Sequence, residues 1–206
     1  MYLYIFIALV VVVITPRIIK RIHKFPVPFL VTYFLDSGLR RWLQPPAAMI
    51  FRSGIKSGMT VLELGCGSGS CTLDIARVIG GKGKLHAVDI QQAMIQKLRI
   101  KLERAENRDL NNIEVRLASA YQLPFADSFF DVVCLVDVLQ EIPDAGRALQ
   151  EIRRVLKNKG ILAISEFLVD TDYPLRRTTR RQCKKAGYKL KASRGNFFSY
   201  TLQFIK

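Results

Sequence analysis

Apolar and polar positions divide the chain into an apolar head and a long alternation of short apolar runs with amphipathic stretches. Thr60–Leu64 is a short apolar run that ends at a glycine cluster, and Cys71–Ile79 follows with helical spacing. Lys84–Val88 reads as the next strand. Gln92–Ala105 reads as a helix, with Met94, Ile95, Leu98 and Leu102 along one stripe. Ile113–Leu117 and Phe130–Val136 are further strands, the second rich in β-branched residues, as suits a strand buried on both faces. Ala145–Leu156 is a helix with basic residues in its last turn. Gly160–Phe167 is a fifth strand, and Pro174–Ala186 is a helix with proline in its first turn. Tyr188–Ser193 and Phe197–Ile205 are two strands around a hairpin-like turn, Arg194-Gly195-Asn196. This alternation predicts a parallel α/β sheet to which the final hairpin adds an antiparallel strand.

The head of the chain has a different character. Met1–Ile14 is unbroken apolar sequence, followed by Thr15, Pro16 and a basic cluster of Arg17, Lys20, Arg21 and Lys24. A cleavable signal fits poorly, because no positive side chain precedes the run and no small-residue cleavage site follows it. The run is shorter than the ~20 apolar residues of a spanning helix, with ~17 as the lower bound. Thr15 and a snorkelling Arg17 extend it. Residues 1–24 are therefore expected to be an apolar helix with a basic flank that tethers the chain to a membrane, spanning it or lying in it. The positive-inside rule then leaves the body of the chain cytoplasmic. A buried helix is the competing reading, or a strand, given the four consecutive valines. Residues 25–57 read as a helical lid or linker punctuated by Pro26, Pro28, Pro45 and Pro46. Leu30–Leu35, Leu39–Leu43 and Ala47–Ser53 are its candidate helical turns.

Charge sharpens the division. Residues 1–57 hold eight Lys/Arg and one acid, residues 58–166 fourteen of each, and residues 167–206 ten Lys/Arg and two acids. The net charge of +15 thus belongs to the two ends, and an anionic partner is expected there. The four cysteines form no C-x-x-C pair and only two histidines exist, so no metal site is expected.

The chemistry concentrates in Val61-Leu-Glu-Leu-Gly-Cys-Gly-Ser-Gly69, three glycines at alternate positions between a strand and a helix. Glycine permits positive φ and close approach of a ligand to the backbone. The helix start beyond it offers N–H groups. The second strand ends at Asp89, whose carboxylate suits the two hydroxyls of a ribose. A nicotinamide fingerprint wants its third glycine at position 70, and position 70 is serine. Glu63, two residues before the first glycine, suits a cationic ligand better than a pyrophosphate.

With these residues the chain resembles the class I S-adenosylmethionine-dependent methyltransferases. Glu63–Gly69 is similar to that family's first motif and Asp89 to its ribose-binding acid. Leu123-Pro124-Phe125 with Asp127–Val133, Val136–Asp144 and Ile152–Ile161 resemble later motifs in the family's order. Within the family the likeness is to the small-molecule branch that includes quinone-biosynthesis methyltransferases. The resemblance implies a Rossmann-like, doubly wound α/β sheet of seven strands over residues 58–206, with S-adenosylmethionine as cofactor. It also implies roles by position. Gly65, Cys66, Gly67 and Gly69 hold the methionine end, oriented by Glu63. Asp89 binds the ribose and Ile90 packs on the adenine. Ser119, beside Ala120, replaces the acid that commonly meets the adenine amino group, and Val136 flanks the ligand.

Asp137 and Glu141 follow the fourth strand, where a general base would sit, although a surface or helix-start carboxylate is an equal reading for each. Glu141 stands where many relatives have histidine. The helix Pro174–Ala186 carries six cations and no acid, which suits an anionic membrane surface. The function expected is methyl transfer to a lipophilic small molecule (quinone, isoprenoid or lipid) at a membrane. Methylation of RNA gripped by the basic ends is one alternative, and a noncatalytic S-adenosylmethionine-binding module is another. An RNA grip would favour aromatics among the cations, and this helix has none between Tyr173 and Tyr188.

Overall fold

The computed structural model describes residues 44–168 and 173–206. The apolar head, its basic flank and the first part of the linker, with the turns expected at Leu30–Leu35 and Leu39–Leu43, lie outside the described residues. Among the described residues no helix is long and apolar enough to cross a membrane.

The chain enters through helix α1 (Pro46–Ser53), which has proline in its first turn and stops at Gly54 in the left-handed conformation. Strand β1 (Thr60–Leu64), helix α2 (Thr72–Ile79), strand β2 (Lys84–Asp89), helix α3 (Gln92–Leu102) and strand β3 (Ile113–Leu117) follow. Strand β4 (Phe130–Val136), helix α4 (Ala145–Val155) and strand β5 (Leu156–Phe167) form the second half. Helix α5 (Arg176–Lys185) and strands β6 (Lys189–Gly195) and β7 (Ser199–Ile205) end the chain. The seven strands lie in the order β3-β2-β1-β4-β5-β7-β6. The first five are parallel, and β7 runs antiparallel between β5 and β6. The expected seven-stranded, mostly parallel sheet is therefore present.

Two apolar layers sandwich the sheet. Met49, Ile50, Ile75 and Ile79 pack on one face with Val61 and Val132. Leu149, Ile152, Tyr200 and Phe204 pack on the other with Leu62 and Val133. The strand order reverses between β1 and β4, so the loops leaving their carboxyl ends diverge and leave a crevice there.

Several boundaries differ from the sequence reading, and four of the differences have a local reason. Helix α3 ends at Leu102 because the buried Asn107 reaches back and donates Nδ2–H to the Lys101 carbonyl at 2.8 Å. A separate 3-10 turn, Ala105–Asn107, carries it. Strand β5 starts at Leu156, paired with Phe130, and only after an irregular stretch does Ile161 pair with Val132. Asp131 straddles that irregularity, accepting from Thr60 N at 2.8 Å and pairing with Lys157 Nζ at 2.7 Å. Helix α5 begins after Pro174, whose carbonyl accepts the buried Tyr200 hydroxyl at 2.9 Å. The last turn is displaced too. Asn196 Oδ1 accepts from Phe198 N and Ser199 N, both at 3.0 Å, and places Phe197 and Phe198 at the tip rather than in a strand.

Candidate active site

Immediately after β1 the chain turns toward β2. The N–H groups of Gly65 and Cys66 both donate to the Val88 carbonyl, at 2.7 and 3.0 Å. Gly65, Gly67 and Gly69 all have positive φ, at 77°, 54° and 85°. Their surroundings separate them. A side chain on Gly65 would collide with Val138, and one on Gly69 with Leu98 of α3. Beyond Gly67 lies open space. That space is a cavity of about 380 Å³ at the carboxyl ends of β1, β2 and β4.

The cavity gathers Glu63, Gly65, Cys66 and Gly67 from the first loop, and Asp89 and Ile90 from the second. Ser119, Ala120, Val136, Asp137 and Glu141 line it as well. Every site residue expected from the sequence thus lines one cavity except Gly69. Gly69 lets α3 pack closely instead, and its carbonyl accepts Lys101 Nζ at 3.0 Å.

Asp89 joins the two loops. Its Oδ2 accepts from Gly67 N at 2.9 Å and its Oδ1 from Gln91 N at 2.8 Å. The carboxylate is held at a fixed angle by backbone, and each oxygen has a second lone pair for a donor entering the cavity. Glu63 is buried at the end of β1, where its Oε2 accepts from Thr72 Oγ1 at 2.6 Å. Burial pushes its acid up from 4.5 to about 8, the Thr72 bond opposes this, and the nearby Asp89 charge adds to it. An unliganded Glu63 is therefore largely protonated at neutral pH, and a cation in the cavity favours its ionised form. Burial likewise pushes the Cys66 thiol up, so it stays a thiol beside the two carboxyls.

Ile90 is 60 % exposed, an apolar side chain available to a flat ring. Ser119 Oγ already accepts from Tyr121 N at 3.2 Å, so its second lone pair is what remains for a ligand amino group. Asp137 sits in the left-handed region at φ 56°, and its Oδ1 accepts from Phe167 N at 2.6 Å. It thereby ties the ends of β4 and β5 together. Glu141 ends the 3-10 turn Leu139–Glu141 and is half-buried at the cavity wall.

Sequence reasoning missed Met94, Tyr121, Ile142 and Pro143, which also line the cavity. Met94 is legible, since it lies in the first turn of α3, directly after the Asp89 loop. The others come from loops that only the assembled sheet brings together. Tyr121 reaches across to accept Asp144 N at 3.0 Å, fixing the start of α4.

The residues fit S-adenosylmethionine. The open space over Gly67 admits a ligand against bare backbone, Glu63 offers an acid for an ammonium, Asp89 offers acceptors for a diol, and Ile90 with Met94 offers an apolar surface for a base.

Comparisons with known proteins agree. A family model described as "Methyltransferase domain" matches residues 55–200. The ubiquinone/menaquinone biosynthesis C-methyltransferase UbiE of Vibrio campbellii is 36% identical over 115 residues, 56% of this chain and 44% of that protein. UbiE of Hahella chejuensis is 36% identical over 123 residues, 60% of this chain and 49% of that protein. The matched stretch thus spans less than half the length of either relative. Among solved structures, a SAM-dependent methyltransferase from Aquifex aeolicus superposes with a TM-score of 0.76 at 23% identity, over 84% of this chain and 95% of that one. The [4+2]-cyclase SpnF superposes with a TM-score of 0.63 at 23% identity, over 72% of this chain and 58% of that one. These two likenesses speak for the fold. The family match, together with a glycine-loop cavity holding Glu63 and Asp89 in their motif positions, places this chain among the class I S-adenosylmethionine-dependent methyltransferases.

Proposed function

We propose that the chain is a membrane-associated methyltransferase that methylates a lipophilic small molecule, such as a quinone, an isoprenoid or a lipid. The observation that carries this reading is the cavity wall formed by β4 and the turn after it. Val136, Val138, Ile142 and Pro143 make it apolar, and Asp137 and Glu141 are its carboxylates. An apolar acceptor with one acidic hydroxyl or carbon suits that wall. The names of the relatives, ubiquinone/menaquinone C-methyltransferases, support a quinone-like acceptor.

The bound cofactor supplies an electrophilic methyl group on a sulfonium. The chain's own residues do the rest. The Gly67 backbone and Glu63 hold the amino-acid end, and Asp89 holds the ribose. Asp137 has one carboxylate oxygen committed to Phe167 N and keeps the strand ends in register. Glu141 receives the acceptor's proton as general base. Apolar walls exclude water and hold the acceptor in line, the largest contribution that positioning makes to a displacement.

The deciding experiment incubates the full chain with methyl-labelled S-adenosylmethionine and either membrane lipid extract or total RNA. Label in an extractable lipid is expected. Label in RNA would transfer the reading to the phosphate-gripping alternative. Label in neither, with calorimetric binding of the cofactor intact, would leave a noncatalytic binding module.

A further inference from the structure

The tip of the β6–β7 hairpin is apolar and bare. Phe197 is 61 % and Phe198 62 % exposed, and Leu175, just before α5, is also exposed. They form one surface rather than scattered residues. Tyr173 donates its hydroxyl to the Phe197 carbonyl, and the two rings meet edge to face at 6.2 Å. Arg176 Nη2 donates to the Asn196 carbonyl at 2.6 Å. The start of the basic helix is thus stapled to the aromatic tip. Along α5, Arg177, Arg181 and Lys184 are exposed at helical spacing. The two acids of residues 167–206, Asp170 and Asp172, lie outside the described residues.

Topology fixes where this surface points. β7 runs antiparallel to β5, with Ser199 opposite Phe167, so the hairpin tip stands at the carboxyl edge of the parallel strands. The cavity opens at that same edge. The connection is short: Leu168 N donates to the Phe198 carbonyl at 2.8 Å, and the neighbouring Phe167 N donates to Asp137 of the cavity wall.

We propose that the hairpin tip and the first turns of α5 are a docking face for an anionic lipid bilayer, which sets the mouth of the cavity against the membrane. The proposal rests on the lipophilic-acceptor reading and gives it a route of delivery. Clustered apolar side chains flanked by cations match the two layers of a bilayer surface: rings and Leu175 reach the acyl boundary while arginines meet the phosphates. Single-stranded RNA is the competing partner, because aromatics beside arginines also stack bases. The ring arrangement favours lipid. Phe197 and Phe198 stand at 80° to each other, and Phe197 is edge to face with Tyr173 as well, so the rings do not form the parallel platforms on which successive bases stack.

The test is hydrogen exchange of the full chain, alone and with vesicles of phosphatidylglycerol or phosphatidylcholine. Phosphatidylglycerol is expected to slow exchange over residues 173–185 and 195–200, and phosphatidylcholine to leave them unchanged. Replacing the exposed pair (F197S with F198S) should keep the thermal midpoint and weaken binding to phosphatidylglycerol vesicles by about tenfold. The proposal is overturned if the vesicles protect only the N-terminal 24 residues. It is equally overturned if the tip is already protected without vesicles, or if a short RNA protects it and vesicles do not. No methyl acceptor takes part, so failure of docking and failure of the acceptor assignment are separate results.

Discussion

Glu63 brings a carboxylic acid to a buried place on the cavity wall, and the consequence is measurable. Its acid is raised from 4.5 to about 8 by burial. With the folded value above the unfolded one, its contribution to stability is fully present below pH 4.5 and is lost as pH rises through about 8. The expected slope is about 1.4 kcal/mol per pH unit. His86, pushed below its usual 6.5 by burial, titrates in the opposite sense below that pH. Between pH 6.5 and 8 the His86 contribution to the slope fades while that of Glu63 persists, and Glu63→Gln separates the two. Thermal unfolding of the unliganded chain should show stability falling across this interval, and Glu63→Gln should flatten the fall; an unchanged slope in the variant would remove the buried acid from the account. The two carboxylates after β4 divide by a similar argument. Asp137 is engaged with backbone in a left-handed conformation, so Asp137→Ala is expected to cost stability as well as activity. Glu141→Gln is expected to lower kcat about a hundredfold with cofactor affinity unchanged. Equal loss of cofactor binding in Glu141→Gln would assign it to the cofactor instead.

Each loop glycine answers to a different element. Gly67 faces the cavity, whereas Gly69 faces α3. Gly67→Ala places a methyl group where a ligand would lie and forces a left-handed alanine, costing about 1 kcal/mol of stability while sharply weakening cofactor binding. Gly69→Ala drives a methyl into Leu98, and the overpacking adds about 1–3 kcal/mol. Calorimetry and thermal melts on both variants separate these outcomes: Gly67→Ala should lose mostly binding, Gly69→Ala mostly stability. This pair also shows what the sequence makes legible. The strand–glycine–helix pattern announces the loop because its signal is local, and Asp89 is announced by the end of the next strand. The division of labour among glycines depends on α3, about thirty residues onward, and no local pattern carries it. The same holds for Arg154. The basic end of α4 reads as a helix C-terminus, yet its guanidinium donates to the Phe125 and Leu123 carbonyls at 2.8 and 3.0 Å and meets Asp127 and Glu151. It staples the loop that enters β4, a contact across about thirty residues. The hairpin turn shifted by a few residues for a comparable reason. Asn196, rather than Gly195, supplies the turn's hydrogen bonds, and so the two phenylalanines read as strand became an exposed tip.

At the scale of the molecule, the fold alone does not select a reaction, since the same architecture carries a [4+2]-cyclase. In this chain the cationic helix α5 and the apolar hairpin tip stand at the same sheet edge as the cavity. Residues 58–166, which build most of the cavity, are balanced, and the excess of Lys/Arg is confined to the ends. An electrostatic contribution to catalysis from those ends would act on delivery of the acceptor, not on the displacement itself. Delivery from an anionic surface weakens as salt shortens the Debye length from ~10 Å at 0.1 M to ~3 Å at 1 M. Burial of Glu63 and the backbone bonds of Asp89 shield the cofactor site from the same screening. Initial rates on a quinol embedded in phosphatidylglycerol vesicles should therefore fall severalfold over that range of salt, while rates on a short-chain, water-soluble quinol stay nearly constant. On the proposed membrane reading, the apolar run Met1–Ile14 holds to vesicles without charge, so the chain is expected to remain vesicle-bound at high salt even as the rate falls. Equal salt sensitivity on both acceptors would place the basic ends outside delivery of the acceptor and overturn their part in the proposed membrane reading.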